Sequence, residues 1–159
     1  MVQNIWKDGV FGLIVGDALG VPVEFSSREE CEHNPMIGMR AYGTHNQPVG
    51  TWSDDSSMTL ATLDSIKQKG KIDYKDLMDK FTEWCLYADY TPFQEVFDIG
   101  VATSRAIIQH GKGTDPIDCG GKTEWDNGNG SLMRILPVCL YLYNRQKMIC
   151  TSENESIYL

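Results

Sequence analysis

The sequence is poor in the features that mark several common classes of protein. It has five cysteines, Cys31, Cys85, Cys119, Cys139 and Cys150, an odd number with no Cys-x-x-Cys pair. That spacing argues against a disulfide framework and against a zinc site. No apolar run approaches the ~18–20 residues needed to cross a membrane. The most apolar stretch, around Val10 to Val23, is interrupted or flanked by Asp8, Asp17 and Glu24. The basic, apolar, small order of a signal peptide is missing. Positive charge is scarce: 14 Lys and Arg against 22 Asp and Glu give a formal net charge of -8. Such a surface repels phosphate backbones, so no nucleic-acid groove is expected. An anionic ligand must then be held locally, by backbone N–H groups or a metal. Alternating strands, repeats and low-complexity tracts are also missing. The expectation is a soluble cytoplasmic protein with no membrane partner.

What is present is helical. The 159 residues suit one domain with a single core, read here as residues 1–159. From Ile5, the residues Trp6, Val10, Leu13, Ile14 and Ala18 recur at three- and four-residue spacing, which predicts a buried helix ending near Gly20-Val21-Pro22. Ser26 to Gly50 carries Pro35, Gly38, Gly43 and Pro48 and reads as a long irregular connection. A second helix is predicted from the N-cap Ser53 to Lys69-Gly70, and a third from Asp73, burying Leu77, Met78, Phe81, Trp84, Cys85 and Ala88. A fourth is expected between Pro92 and His110, with Val96, Ile99, Ala102, Ala106 and Ile107 inward and Gly111 as its stop. Gly111 to Gly130 is too glycine-rich to be regular. A fifth helix is expected from Ser131, kinked at Pro137. The chain ends on Ile157-Tyr158-Leu159, which reads as the first turn of an interrupted helix. The pattern predicts an all-α bundle.

Three constellations could carry chemistry. Thr51-Trp52-Ser53-Asp54-Asp55-Ser56 is explained by helix capping, since a serine cap and two acids suit the positive end of the dipole. It is equally a set of hydroxyl and carboxylate oxygens of the kind magnesium takes. Glu24 follows an apolar run and precedes Phe25. It either points to solvent or points inward toward a partner, because a lone buried carboxylate is costly. Asp126-Asn127-Gly128-Asn129-Gly130-Ser131 is either a plain turn or a loop whose glycines admit a ligand to the backbone. A helix starting directly behind that loop would aim free N–H groups at a diphosphate.

Three near-matches fail. Gly121-Lys122-Thr123 ends like a P-loop, but Pro116 replaces the first glycine. Met133 stands where a dinucleotide fingerprint needs its third glycine, and Gly128 lacks the oxygen of a calcium loop. His33, His45 and His110 have no ligand spacing and are expected as surface or capping residues.

Taken in order, Gly16-Asp17-Ala18-Leu19-Gly20 with Glu24, Ser53-Asp54-Asp55 with Met58, Asp98-Ile99-Gly100, and Gly128-Asn129-Gly130-Ser131-Leu132-Met133-Arg134 resemble the ADP-ribosylglycohydrolase family. The resemblance extends to about Asn144. It implies an all-α orthogonal helical bundle and magnesium-dependent hydrolysis of the glycosidic bond joining ADP-ribose to a protein or a small molecule. It implies two Mg2+ ions, with Ser53, Asp54 and Asp55 as ligands. Glu24 would position or deprotonate the attacking water, and Asp98 would be a second acid near the distal ribose. Asp126, Asn127, Gly128, Asn129, Gly130 and Ser131 would hold the diphosphate and proximal ribose.

The family completes its metal site with a later Asp-x-Asp-Thr motif, and this sequence has none. The chain therefore reads as the N-terminal half of such a bundle, a truncated form. The alternatives are a catalytically inactive ADP-ribose-binding or scaffold protein, or a shortened gene product lacking part of the metal site. Core surface meant for the missing half would then promote self-association.

Overall fold

The computed structural model describes residues 4–126 and 128–155, with side chains through residue 146. Asn127 and the Ile157-Tyr158-Leu159 end lie outside the described residues. Among the described residues six helices follow one another: α1 (Ile5–Gly20), α2 (Arg28–His33), α3 (Asp54–Lys69), α4 (Tyr74–Tyr87), α5 (Val101–Gly111) and α6 (Leu136–Glu155). Short 3-10 turns occupy Val21–Val23 and Pro116–Asp118. Among the described residues there is no strand; a single isolated bridge pairs Tyr42 with Gln47.

Local chemistry sets the ends of α3 and α4. Ser53 Oγ accepts from Asp55 N at the start of α3, and Gly70, at φ 65, closes it in the left-handed region that glycine tolerates. Asp73 caps α4 by accepting from Asp76 N. These two helices pack together, α3 also meets α1 and α6, and α4 meets α5. The core is Met58 and Ala61 of α3, Leu77, Met78, Phe81 and Trp84 of α4, Ile107 of α5 and Cys119. The α3 face within it is unusual for its small hydroxyl residues: Ser56, Ser57, Thr59, Thr62 and Ser65 are all buried. Ser57 and Thr62 return their hydroxyls to carbonyls one turn back, at 2.9 and 2.7 Å.

Several expectations are corrected. The helix expected from Pro92 begins only at Val101. Gln94 (φ 58) and Asp98 (φ 55) are left-handed, which a right-handed helix excludes. Ala102 is exposed, and Cys85 and Ala88 are only half-buried. Gly111 is the last residue of α5, and Gly113 (φ 90) makes the turn behind it. The last helix starts at Leu136, not Ser131, so Pro137 sits in its first turn, where a missing N–H costs nothing, and no kink is required. The connection from Ser26 to Gly50 contains α2, fixed by a capping box in which Ser27 and Glu30 bond each other's backbone N–H. The helix read as buried, α1, buries only Val10 and Ala18, while Ile5, Phe11 and Val15 are exposed. It is apolar on more than one side, but only one side packs on α3 and α6.

Candidate active site

The start of α3 is held by a carboxylate from another helix. Asp17, in the last turn of α1, accepts from Ser53 N (3.0 Å), Ser53 Oγ (2.8 Å), Ser56 N (3.1 Å) and Ser56 Oγ (2.6 Å). A carboxylate at a helix N-terminus satisfies free N–H groups and suits the dipole. Asp17 therefore fixes where Ser53, Asp54 and Asp55 stand. Trp52 adds a second tether, its indole N–H donating to the Tyr90 carbonyl at 3.0 Å.

Asp54 is 6% exposed. Burial pushes its carboxyl up to about 7, helped by the charges of Asp55, Asp98 and Asp17. Burial, then Asp17 and Asp98, raise Asp55 as well. Among the described residues, no other side chain donates a hydrogen bond to Asp54 or Asp55. Arg134 is the nearby cation: its charge acts on Asp54, its guanidinium lies 4.6 Å from the Phe81 ring centroid, and burial lowers its pKa. The result is a group of crowded oxygen donors with little positive charge to balance it.

Glu24, just after the Val21–Val23 turn, faces the same region. Its Oε2 lies 2.7 Å from His45 Nε2. Glu24, His45 and Asp98 each bring a donor atom within 4.8 Å of the others. Burial raises the Glu24 carboxyl, the His45 hydrogen bond opposes that, and Asp98 raises it further. His45 is thus no surface residue: its side chain is 14% exposed, and it joins the two acids. Sequence reasoning missed it because its partners come from distant segments. His33 does behave as a helix-end residue, against the Glu29 carbonyl at 2.8 Å, but His110, like His45, is no surface residue: its side chain is 13% exposed and lies 2.8 Å from the Asp79 carboxylate of α4. Asp17 also lacked a role in the sequence reading. The available signal was an acid in the last turn of α1, where the dipole disfavours it.

Two clefts meet here. The larger, about 520 Å³, is lined by Asp17, Glu24, Ser53 and Asp55 between Gly12, Gly16 and Met133. The smaller, about 280 Å³, is lined by Asp54, Thr103, Arg105, Trp125, Asp126, Gly128 to Gly130 and Met133. Met133 lines both, so the clefts adjoin. Gly130 has no room for a side chain, since a Cβ there would stand 2.6 Å from Thr103 Oγ1. The expected helix behind this loop is absent: the N–H groups of Leu132 and Met133 turn back to the Asn129 carbonyl. It is the start of α5, at Gly100 and Val101 with no side-chain cap, that opens into the loop cleft. Asp126 is exposed and commits its carboxylate to Thr123 N and Oγ1, at 2.9 and 2.7 Å. Ser131 lines a different cavity, with Phe81 and Arg134. The structure therefore brings together Glu24, Asp98, Ser53, Asp54 and Asp55, and places Gly128 to Gly130 beside them. It separates Ser131; Asp126 lines the same cleft as Gly128 to Gly130, with its carboxylate held by Thr123.

The donor set suits a hard cation. It is all oxygen at the start of α3, with Ser53 and Asp54 buried and Asp55 half-buried, the two carboxylates mutually repelling and short of positive charge. Ser53 Oγ donates its proton to Asp17, which leaves a lone pair free, apart from a long 3.4 Å contact with Asp55 N. No helix among the described residues is long and apolar enough to cross a membrane.

Known proteins are similar to this chain in sequence. The family model described as ADP-ribosylglycohydrolase matches residues 4–156. The ADP-ribosylarginine hydrolase Tri1 of Pseudomonas putida is 31% identical over 154 residues, covering 95% of this chain and 39% of that protein. The ADP-ribosyl-[dinitrogen reductase] glycohydrolase of Rhodospirillum rubrum is 33% identical over 141 residues, covering 81% of this chain and 42% of that protein. A solved structure titled ADP-ribosylglycohydrolase-related protein complex superposes with a TM-score of 0.66 at 35% identity, over 82% of this chain and 40% of that one. The chain spans about two fifths of the length of the curated relatives it matches.

Proposed function

We propose, from the premise that this chain belongs to the ADP-ribosylglycohydrolase family, that it serves magnesium-dependent hydrolysis of the bond joining ADP-ribose to an arginine side chain of a protein. The linkage follows the relative from Pseudomonas putida, which is named an ADP-ribosylarginine hydrolase. The observation that carries the reading is the convergence of Glu24, Asp54, Asp55 and Asp98 from three separate segments, with the charge of Asp98 acting on each of the other three.

Ser53, Asp54 and Asp55 would hold magnesium. Bound there, the metal supplies fixed positive charge and Lewis acidity toward sugar oxygens. The chain's own residues do the rest. Glu24 accepts the proton of the attacking water, and its environment, which raises the carboxyl, makes it a better base than a solvent-exposed glutamate. Breaking a ribosyl bond builds positive charge at the anomeric carbon, and Asp98 places negative charge beside it. Gly128 to Gly130 admit the diphosphate close to the backbone, with Arg105 on the same cleft.

The test is release of free ADP-ribose from an arginine-ADP-ribosylated protein in magnesium, by wild type and by the Asp54→Asn, Asp55→Asn double variant. Release by wild type and none by the variant supports the proposal. Equal rates from both would falsify it. Calorimetry with ADP-ribose addresses a second reading, binding without turnover, whose support is that the glycine loop lines the adjoining cleft and not the one that Glu24 lines. Tight binding with no release would select that reading.

A further inference from the structure

We infer that His45 is a positioning residue for Glu24, fixing its carboxylate beside Asp98 in the geometry the hydrolysis uses. The inference rests on Glu24 being the group that takes the proton of the attacking water.

The geometry is built from the loop upward. Residues Tyr42 to Gln47 form a tight turn, closed by Tyr42 N donating to the Gln47 carbonyl at 2.6 Å and by Asn46 in the left-handed region at φ 52. Gln47 is buried, which roots the turn in the protein. The turn is docked on the segment that carries Glu24. Thr44 N donates to the Pro22 carbonyl at 3.3 Å, and Thr44 Oγ1 donates to the Glu24 carbonyl at 2.6 Å. Gly43 makes this approach feasible: at φ 80, a Cβ there would stand 2.0 Å from the Pro22 oxygen. The turn thus grips the backbone of Glu24 one residue before His45 grips its side chain.

The imidazole itself is enclosed. Phe25 packs edge-on at 6.0 Å between centroids and Phe97 lies tilted at 5.2 Å. Phe25 and Asp98 are both left-handed, at φ 61 and 55. Non-glycine residues pay for that conformation only where surrounding structure holds them. Both flank the ring, one following Glu24 and the other following Phe97. The enclosure leaves Nε2 aimed at Glu24 Oε2, at 2.7 Å. Glu24 faces two groups, His45 and Asp98, which act in opposite directions: Asp98 favours a protonated glutamate, and the His45 bond favours the carboxylate that can accept a proton. Without His45, Glu24 would turn toward sharing a proton with Asp98 and lose both its orientation and its availability as a base.

Two measurements on the full chain test this. In proton–nitrogen correlation spectra, the ring nitrogens of His45 should shift on Glu24→Ala and stay in place on Asp55→Asn. Ring signals indifferent to Glu24→Ala would overturn the pairing, whether or not the chain hydrolyses anything. In the hydrolysis assay with arginine-ADP-ribosylated protein and magnesium, His45→Leu should lower kcat about tenfold or more with KM nearly unchanged. His45→Gln, which keeps an N–H at similar reach, should recover to within about threefold of wild type. A kcat for His45→Leu within about twofold of wild type, or a loss that His45→Gln does not relieve, overturns the inference. A wild-type chain that releases no ADP-ribose counts against the proposed function, and the spectra then decide the His45 question alone.

Discussion

Replacing Asp17 by asparagine is expected to lower the melting temperature by about 6–12 °C, although the change removes a charge from a crowded acidic site. The carboxylate accepts four hydrogen bonds from the first turn of α3. Asparagine keeps one accepting oxygen, enough for Ser53 N and Oγ. Its amide nitrogen then faces Ser56 N, a donor against a donor, where the carboxylate oxygen stood at 3.1 Å. Ser56 is buried, so its N–H cannot turn to water. Losing a bond to a charged acceptor costs about 1.5–3 kcal/mol, and leaving a buried N–H unpaired adds to it. A total near ~3 kcal/mol, at ~2–4 °C per kcal/mol for a chain of this size, gives the stated shift. Relief of repulsion on Asp54 and Asp55 acts the other way. It is the smaller effect because Asp54, pushed up to about 7, is charged only part of the time at neutral pH. Calorimetric or circular-dichroism melts at pH 7 decide the matter. An unchanged or raised melting temperature would refute the idea that Asp17 holds α3 in place.

Two further outcomes follow from the same structure. Gly43→Ala should destabilise by roughly 2–4 kcal/mol, since the new Cβ would meet the Pro22 carbonyl, whereas Gly38→Ala, with open space around it, should leave the melt unchanged. Asp64 gives a pH signature. Burial alone would raise its carboxyl, but hydrogen bonds from Lys80, Tyr90 and Gln68 win and hold it below the ordinary range. A carboxyl lowered in the folded state stabilises at neutral pH, and that contribution fades as pH falls through about 4 and below. Urea midpoints of wild type and Asp64→Asn should therefore differ most at pH 7 and converge toward pH 3; a constant difference would show that the network adds no proton linkage.

The elements legible in the sequence are those set by local chemistry. The ends of α3 and α4 follow from Ser53, Gly70 and Asp73, each acting within a few residues of itself. The elements that escaped are set from a distance or by a competing rule. Gln94 and Asp98 take left-handed backbone that no periodicity reveals, so α5 is shorter than its apolar spacing suggests. Pro137 suggests a kink in the sequence but marks a beginning in the fold. The capping pair Ser27 and Glu30 was visible but masked by the glycines and prolines around it. In the site, Ser53 could be read as a cap or as an oxygen donor from sequence alone. The structure has it capping Asp55 N while donating to Asp17, which leaves its lone pair for a cation. His45 lies 21 residues beyond Glu24, and only the folded turn brings the two together.

The proposed chemistry requires the oxygens at the start of α3 to bind a divalent cation. Titration calorimetry of Mg2+ into the metal-stripped chain measures that directly. Saturable binding by wild type that is abolished in Asp54→Asn and in Asp55→Asn, with both variants still folded, is the result expected. Binding that is absent in wild type, or that persists undiminished in both variants, would contradict it.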